Sequence, residues 1–344
     1  PAYFPANIKG RIMKTVYNHK VRDAKKTTGK ASEWDELLAE GRESLKTSPL
    51  PPHDVRSEDT SVIMYTGGTT GPSKGVMLSN GAENYLATEL ISYYVQGHPH
   101  IGDGFLAVLP IFHAFGLTVC IHTPLASGMR VVLCPRFDAK ECASLVVKEK
   151  MAFLCGVPAM YERMYPYLKG KDLSCVKHQV CGGDRVTLDL AYRYNDILGR
   201  EHGGAEFRPG YGLTEAGGAC VITDVHYTSL SEGGVGVPFK GTEICVVAPG
   251  TTDVLPNPME GELCMIGPAI MTGYYKNPEE TAAVLREHPD GRVWLHTGDI
   301  VSIEEGNNIN FRCRYKRLVK VNGYNVYPLM IEAVMEKCPV ISQS

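Results

Sequence analysis

The sequence SVIMYTGGTTGPSKGV, residues 61–76, places a β-branched and apolar run directly before a glycine-rich loop that ends in a lysine. The first five residues are typical of a buried strand. Glycines let backbone N–H groups converge on an anion, threonine hydroxyls add donors, and the ammonium group of Lys74 neutralises charge. The segment therefore predicts a phosphate-binding loop, with a plain glycine turn between two strands as the structural alternative. It is not the loop of a P-loop NTPase, because Ser73 precedes the lysine and Gly75 follows it.

The composition excludes several functional classes. A length of 344 residues with 44% hydrophobic content is ordinary for a soluble globular protein of two or more domains. A net charge of −3 without a long basic run argues against nucleic acid as a partner. The 11 cysteines show no CxxC pair and no Cys/His metal spacing, which favours reduced core thiols in a cytoplasmic setting.

A transmembrane segment is not expected either. No apolar stretch reaches the roughly 18 to 20 residues of a membrane span, because Pro110, His113 and His122 interrupt the most apolar one. We expect a cytoplasmic protein, with peripheral contact at the inner membrane surface as an option. The sequence does not indicate an oligomeric state.

Strand-like and helix-like segments alternate from residue 61 to about residue 223. This order predicts an α/β fold with a mainly parallel sheet covered by helices, and ligands at the carboxyl ends of the strands. Shorter strands with turn signals then predict a smaller β-rich subdomain. We predict a connector over 1–56, an α/β subdomain over 57–232, a β-rich subdomain over 233–313 and a hinge over 314–344. Within the connector, SEWDELLAEGRESL predicts a helix that Ser32 caps.

Two later segments carry further ligand-binding side chains. YGLTEAGG, residues 211–218, presents an aromatic ring, a hydroxyl and a carboxylate, which suit adenine stacking, phosphate contact and Mg²⁺ ligation. WLHTGD, residues 294–299, ends in an Asp whose two oxygens can accept from both hydroxyls of a ribose. Taken singly, these segments are also typical of a capped helix start and an Asp turn. Together with the glycine loop they predict a nucleotide site.

Seven segments, in order along the chain, resemble the adenylate-forming (ANL) superfamily of acyl-CoA synthetases, luciferases and nonribosomal peptide adenylation domains. They are YTGGTTGPSKGV, LPIFHAFG, CGGD, YGLTE, GELCMIGPAIMTGYYKNPEET, HTGD and RYKRLVKVNGYNVYP. The resemblance covers nearly the whole chain. WDELLAEG, MLSN, LPIFHAFG and GYYKNPEET are most similar to bacterial-type long-chain fatty acid CoA ligases.

The resemblance implies a two-step reaction. A fatty acid carboxylate attacks the α-phosphorus of ATP, bound with Mg²⁺, to form an acyl adenylate and pyrophosphate, and the thiol of coenzyme A then displaces AMP. Both steps need charge stabilisation more than proton transfer.

The resemblance also implies roles for individual residues. The residues that bind the β- and γ-phosphates would be Thr66, Gly68, Thr69, Thr70, Gly71 and Lys74. The α-phosphate falls to Thr214, and Mg²⁺ to Thr69 and Glu215, so that the catalytic set is Thr69, Lys74, Thr214 and Glu215. The adenine falls to Tyr211 and Gly212 beside Gly182, Gly183 and Asp184, and the ribose to Asp299 and Arg314. His113 and Gly156 would contact the acyl group, and Lys316 and Lys320 would belong to the hinge. His113 has an alternative interpretation as an ordinary histidine on an apolar segment.

Three positions depart from the family pattern. Gly67 stands where the family usually has serine, Asp184 where it often has alanine, and Cys313 where it usually has Gly or Asp. Asp184 either hydrogen-bonds the adenine amino group or caps the helix that starts near Thr187. The resemblance implies that the family's adenylation lysine belongs to a C-terminal domain outside this sequence. We expect the first part of the N-terminal domain to lie outside this sequence as well. We therefore expect the chain alone to be poorly active.

Other functions stay open at this level. An aryl-CoA ligase, or a fatty acyl-AMP ligase that hands its product to a carrier protein, would share the nucleotide site. A non-catalytic descendant that binds nucleotide or lipid is a further alternative, although it would not need the full set of Thr69, Lys74, Glu215 and Asp299.

Overall fold

The computed structural model describes residues 15, 19, 34–49, 54–66, 73–95, 101–198, 207–223, 231, 233–317, 319–321, 324–326 and 328–335. The chain divides into two compact units, Pro1–Val55 and Arg56–Ser344. In the first unit, helix α1 spans Trp34–Thr47, with acidic residues in its first turn and a lysine in its last. This order of charges complements the helix dipole. The predicted cap Ser32 lies outside the described residues.

The second unit contains the strands. In chain order they are β1 Thr60–Tyr65, β2 Gly75–Ser79, β3 Gly104–Ala107, β4 Arg130–Leu133, β5 Met151–Gly156, β6 His178–Cys181, β7 Phe207–Tyr211, β8 Val221–Ile222, β9 Gly234–Pro238, β10 Glu243–Val247, β11 Gly261–Ile266, β12 Gly273–Tyr274, β13 Leu285–Glu287, β14 Val293–Ile303, β15 Ile309–Arg314, β16 Val319–Val321 and β17 Tyr324–Val326.

The helices of the second unit alternate with the early strands. They are α2 Asn80–Val95, a π-helix Phe115–His122, α3 Thr123–Ala126, α4 Ala139–Lys148, α5 Pro158–Leu168, α6 Leu188–Leu198, α7 Pro278–Val284 and α8 Pro328–Met335. Side-chain caps start several of them: Asp138 accepts from the N–H of Glu141 at 2.8 Å and begins α4. In the part of the chain that the structure describes, none of the helices combines the length and the apolar character needed to cross a bilayer.

Most strands belong to one sheet of twelve. Its order is β10-β11-β14-β15-β9-β8-β7-β6-β5-β3-β4, with β13 paired to β14. The pairs β7–β6, β6–β5, β5–β3 and β3–β4 are parallel. The pairs β7–β8, β8–β9, β9–β15, β15–β14, β14–β11 and β11–β10 are antiparallel. The α/β fold class, with a mainly parallel sheet followed by a β-rich part, is confirmed. The predicted domain boundaries stay predictions.

Strand β1, predicted as a buried strand in the alternating series, has a different setting. It pairs antiparallel with β2, and β2 pairs antiparallel with β12, which makes a separate three-stranded sheet. Met64 is buried, whereas Tyr65 is 62% exposed. The prediction of a buried strand was therefore wrong for most of β1, because an antiparallel sheet can bury one face of a strand and leave the other face exposed to solvent.

Helices cover both faces of the parallel strands. In β5, Leu154 packs in a cluster with Val146 of α4 and Tyr194 of α6. The adjacent Phe153 packs in a second cluster with Leu86 of α2. Successive side chains of a strand point to opposite faces, so a strand buried on both faces has a continuous apolar sequence such as MAFLCG.

The π-helix from Phe115 to His122 was not predicted. It follows a turn at Pro110, whose carbonyl oxygen accepts from the N–H of His113 at 3.1 Å. A Cβ on Gly116 would collide with that carbonyl oxygen, so this approach of the two segments requires glycine. The helix packs Val119 and Cys120 against α2 and the sheet.

Candidate active site

Loops that carry predicted site residues meet at the carboxyl ends of the parallel strands. Strand β5 ends at Gly156, β6 at Cys181 and β7 at Tyr211. These strands are parallel neighbours, so their following loops lie side by side. The sheet topology alone therefore brings 182–184 and 211–218 together.

A small recess lies at this edge and opens to solvent. It joins three of the segments named from the sequence, through His113, Gly182 and Gly183, and Tyr211. Its lining is mostly apolar and consists of Leu90, His113, Phe115, Val119, Val180, Gly182, Gly183, Gly210, Tyr211, Gly212, Leu213, Gly218, Ala219, Val221, Ile222 and Phe239. Such a surface suits the burial of an apolar or aromatic group.

Two glycines keep one wall of the recess free of side chains. A Cβ on Gly182 would lie 3.0 Å from the carbonyl oxygen of Gly210. Gly183 has φ +79°, a conformation that L side chains rarely adopt. A ligand in the recess can therefore approach this wall down to its backbone.

Asp299 is fully buried in β14 and has partners from two other strands. The Tyr211 hydroxyl donates to Oδ2 at 2.6 Å. Arg314, opposite Asp299 in the register of β14 and β15, places Nε 2.9 Å from Oδ1. This contact is an ion pair without hydrogen-bond geometry, and no group in the described part of the chain donates a hydrogen bond to Oδ1.

The burial of Asp299 has an electrostatic cost. Burial raises the pKa of its carboxyl to about 6, although the charge of Arg314 and the hydrogen bond from Tyr211 lower it. Burial and the nearby carboxylate raise the pKa of Tyr211 well above its ordinary value, so Tyr211 is the donor. A buried acceptor atom without a donor marks a position that a ligand hydroxyl can satisfy.

The turn before Asp299 is held by a carboxylate. Glu262 accepts from the Gly298 N–H at 3.0 Å through Oε1 and contacts His296 Nδ1 at 3.2 Å through Oε2. The Thr297 hydroxyl donates to the Leu263 carbonyl at 2.8 Å and accepts from the Asp299 N–H at 3.1 Å. Strand β11 therefore fixes the His296 ring, the Thr297 hydroxyl and the Gly298 N–H.

A second group of polar side chains surrounds Tyr274 of β12. Its hydroxyl donates to Glu215 Oε1 at 2.7 Å, and the Lys74 ammonium group lies 4.5 Å from the centre of its ring. Burial and the charge of Glu215 raise the pKa of Tyr274. Lys74 also pairs with Glu280 of α7 at 3.0 Å. Tyr274 thus bridges a predicted Mg²⁺ ligand and a predicted phosphate ligand.

The predicted phosphate loop is described at its two ends. The Thr66 N–H donates to the Lys74 carbonyl at 2.9 Å, and the Thr66 hydroxyl accepts from the Lys74 N–H at 3.1 Å. These bonds close the hairpin that leads into the loop. Residues 67–72, including the predicted ligands Gly68, Thr69, Thr70 and Gly71, lie outside the described residues.

The other predicted residues have less specific settings. Thr214 begins the 3₁₀ turn that carries Glu215. Asp184 is exposed and accepts from the Arg185 N–H at 2.7 Å, whereas Thr187 accepts from the Leu190 N–H at the start of α6. Gly156 is not among the described residues that line the recess, and a Cβ on it would face Met160 and Tyr161 of α5.

The predicted hinge residues follow strand β15 in the sequence. Lys316 is exposed in the 3₁₀ turn Tyr315–Arg317 that follows β15. Lys320 falls in β16, opposite Asn325 of β17.

Sequence reasoning missed Tyr274 and Glu262. Both stand in segments that had been matched to the family, GELCMIG and TGYYKN. The signal was therefore present, but their partners are distant in the sequence: Tyr274 contacts Glu215, and Glu262 contacts the turn before Asp299. Phe239 was missed as a recess residue, because sequence periodicity does not show which side of the sheet it faces.

A mainly parallel sheet whose loops converge at the strand ends defines an α/β domain of the kind that binds ligands at that edge. The profile of the family described as AMP-binding enzyme matches residues 7–275. The chain therefore belongs to the AMP-binding enzymes, the adenylate-forming superfamily.

Characterised relatives differ in their acid substrates. The chain is 29% identical over 347 residues to the long-chain-fatty-acid–CoA ligase of Bacillus subtilis (strain 168), with 99% of this chain and 58% of that protein aligned. It is 34% identical over 300 residues to a feruloyl-CoA synthase of Amycolatopsis sp, with 85% of this chain and 58% of that protein aligned. ATP-bound MatB from Rhodopseudomonas palustris has a TM-score of 0.76 at 28% identity, over 86% of this chain and 56% of that one. The chain thus spans less than two thirds of the length of these relatives.

Proposed function

We propose that the protein activates a carboxylic acid with ATP and Mg²⁺ and transfers the acyl group to coenzyme A, with a long-chain fatty acid as the acid. The observation that carries the proposal is Asp299: a buried carboxylate with one oxygen that lacks a donor, hydrogen-bonded to a tyrosine that lines the recess. Family membership supports the reaction class.

In this proposal the nucleoside binds between β7 and β14. Tyr211 supports the adenine with its ring, beside the side-chain-free wall of Gly182 and Gly183. Asp299 Oδ1 accepts from a ribose hydroxyl, which replaces the missing donor. The 56% exposed side chain of Arg314 stands next to the same oxygen and is placed to contact the ribose.

The phosphates bind along the hairpin that Thr66 and Lys74 close. Mg²⁺ is usually held by one or two carboxylates together with phosphate oxygens and water. Glu215 fits this requirement, because it is half-buried and Tyr274 orients one of its oxygens. Mg²⁺ held there would neutralise phosphate charge, with Thr214 placed to contact the α-phosphate and Lys74 the terminal phosphates.

The proposed reaction has two displacement steps. A carboxylate oxygen of the acid attacks the α-phosphorus, the bond to pyrophosphate breaks, and acyl-AMP forms. The sulfur of coenzyme A then attacks the acyl carbon, the bond to AMP breaks and the thiol proton leaves. Positioning and charge neutralisation supply the rate in both steps.

The acyl group occupies the apolar part of the recess between Phe115, Val119 and Phe239, with His113 at its opening. The similarity to a long-chain-fatty-acid–CoA ligase supports a fatty acid. An aromatic acid is the second candidate, because the feruloyl-CoA synthase shares a higher identity, 34% over 300 residues.

The test measures nucleotide binding and acid activation separately. Calorimetry with ATP and with AMP should detect binding to the purified protein, and Asp299→Asn should weaken both. Carboxylate-dependent exchange of labelled pyrophosphate into ATP should then be strongest with a long-chain acid. Absence of nucleotide binding would reject the proposed site, and a preference for cinnamic-type acids would favour the second candidate.

A further inference from the structure

A second cluster of reactive side chains lies on the β-rich part of the sheet, away from the recess. Cys264, His288 and His296 are buried, and their ligating atoms all lie within 4.8 Å of one another. The proposed function uses none of the three. Around a tetrahedral metal with bonds of about 2.0 to 2.3 Å, ligand atoms are separated by roughly 3.3 to 3.8 Å. Small side-chain movements would bring the cluster to that spacing.

Strand pairing places these side chains on one face. Cys264 of β11 is opposite His296 of β14, and Cys245 of β10 is opposite Cys264. His288 follows β13, and the hairpin closes when its N–H donates to the Arg292 carbonyl at 2.9 Å. The His288 ring then stacks on Trp294, 5.4 Å between centres, and faces the His296 ring at 5.1 Å.

The two imidazoles point their Nε2 atoms at each other, 3.0 Å apart. The other nitrogen of His296, Nδ1, contacts the Glu262 carboxylate at 3.2 Å. A carboxylate that holds the remote nitrogen of a histidine fixes its tautomer and leaves the other nitrogen as a lone-pair donor, which is a common outer-shell arrangement in metal sites. The His296 Nε2 lone pair is therefore directed at His288 Nε2, and a metal ion would replace the proton that the two nitrogens share.

We propose that Cys264, His288 and His296, with Cys245 as the fourth ligand, bind a structural Zn²⁺ ion. Thiolate and imidazole ligands in a four-membered set are typical of tetrahedral zinc. Cys245 packs in the same small cluster as Cys264 and Trp294. It is outside the group whose ligating atoms all lie within 4.8 Å of one another, so its sulfur must move toward the other three to complete the set. The surrounding residues Val247 and Ile266 are apolar and would keep water from the ion.

The site would also connect to the turn that presents Asp299. Glu262 contacts His296 with one oxygen and accepts from the Gly298 N–H with the other. An ion that fixes His296 therefore restrains Glu262 and the turn. This predicts a structural role, with an effect on stability.

The test begins with the unmodified protein, purified without chelators and with thiols kept reduced. Elemental analysis should find one zinc per chain. Replacement by Co²⁺ should produce a thiolate charge-transfer band and the intense visible bands of a tetrahedral site. Removal of zinc should lower the midpoint of thermal unfolding by about 5 °C or more. If the protein contained much less than one zinc per chain and the Co²⁺ form lacked these bands, the proposal would be overturned.

Variants locate the ligands. Cys264→Ala and His288→Phe should each abolish the charge-transfer spectrum or shift it strongly, and the second retains a ring against Trp294. Cys142→Ala is the matched control, because Cys142 is 1% exposed and lies on helix α4, in the core cluster that covers the parallel strands. It should keep one zinc and the full spectrum. An unchanged spectrum in Cys264→Ala, or a Cys245–Cys264 disulfide with no zinc uptake after reduction, would contradict the assignment.

Discussion

The Tyr211 hydroxyl donates a 2.6 Å hydrogen bond to Oδ2 of Asp299 and so joins the end of β7 to β14, 88 residues later in the chain. One end of this pair lies in the recess and the other in the β-rich part of the same sheet. The bond leaves Oδ1 without a donor among the described residues. The pair is therefore the place where a bound nucleoside would connect the two parts of the sheet, and several expected outcomes depend on it.

The first prediction concerns the affinity for AMP. Asp299→Asn removes the charge but keeps the shape, so the ribose loses a charge-assisted hydrogen bond worth about 1.5 to 3 kcal/mol. We expect AMP to bind roughly 10- to 150-fold more weakly by calorimetry. Tyr211→Phe should cost less, because it keeps the ring and removes one neutral donor. Equal AMP affinity for Asp299→Asn and the unmodified protein would show that the ribose does not contact Asp299.

The second prediction concerns stability against pH. Burial raises the pKa of Asp299 to about 6 from its ordinary value of 3.8, so the folded state binds this proton more tightly than the unfolded state. The stability contributed by this group is complete below about pH 4 and is lost as pH rises to about 6. The loss is on the order of 3 kcal/mol.

Urea unfolding between about pH 4 and pH 7 measures this effect, with Asp299→Asn as the reference. The unmodified protein should lose stability relative to the variant as pH rises through that window, and the difference should level off above it. A parallel pH dependence of both proteins would mean that Asp299 does not titrate in this range. Nucleotide affinity should change in the opposite sense, because the ribose hydroxyl needs the ionised carboxylate.

The third prediction concerns the terminal phosphates. Lys74→Met removes the ammonium group above the Tyr274 ring and should weaken ATP binding by about tenfold or more, while AMP affinity changes little. Lys276→Met is the matched control, because Lys276 lies 5.1 Å from the centre of the adjacent Tyr275 ring and is exposed. Calorimetry with both nucleotides separates the two cases. A similar loss of ATP affinity in both variants would indicate a general effect of surface charge.

The fourth prediction concerns Mg²⁺. Glu215→Gln keeps an acceptor for the Tyr274 hydroxyl but removes the negative charge. We expect the Mg²⁺ concentration needed for half-maximal ATP binding to rise by about tenfold or more, since a charged ligand contact is worth about 1.5 to 3 kcal/mol. Binding of ATP without Mg²⁺ should weaken much less. An unchanged Mg²⁺ requirement would place the ion elsewhere.

The fifth prediction concerns the acid. Each methylene group buried in the recess contributes about 0.8 kcal/mol, or roughly fourfold in affinity, until the apolar space is filled. Competition by saturated acids of increasing length, in the presence of ATP, should therefore show rising affinity and then a plateau. A flat profile would argue against a fatty acid. Val119→Phe, which enlarges a side chain of the recess, should move the plateau to shorter acids.

Much of the fold followed from sequence patterns. The alternating series that includes AFLCG and HQVCGG predicted a mainly parallel sheet covered by helices, and the structure confirms the α/β class. The same reasoning failed for SVIMY, where an apolar run belongs to a small antiparallel sheet and exposes Tyr65. Apolar composition indicates that a strand has something to bury, but not how many of its faces are covered.

Residue types at the candidate site were also accessible from the sequence, because glycines, hydroxyls and carboxylates follow the strands in a recognisable order. Which of them touch was not accessible. Tyr274 reaches Glu215 across 59 residues. Cys264, His288 and His296 converge although no motif spacing connects them. The periodicity of a sequence segment indicates which side chains share a face of their own strand. Register and strand order arise from pairing between distant segments, which only the assembled sheet establishes.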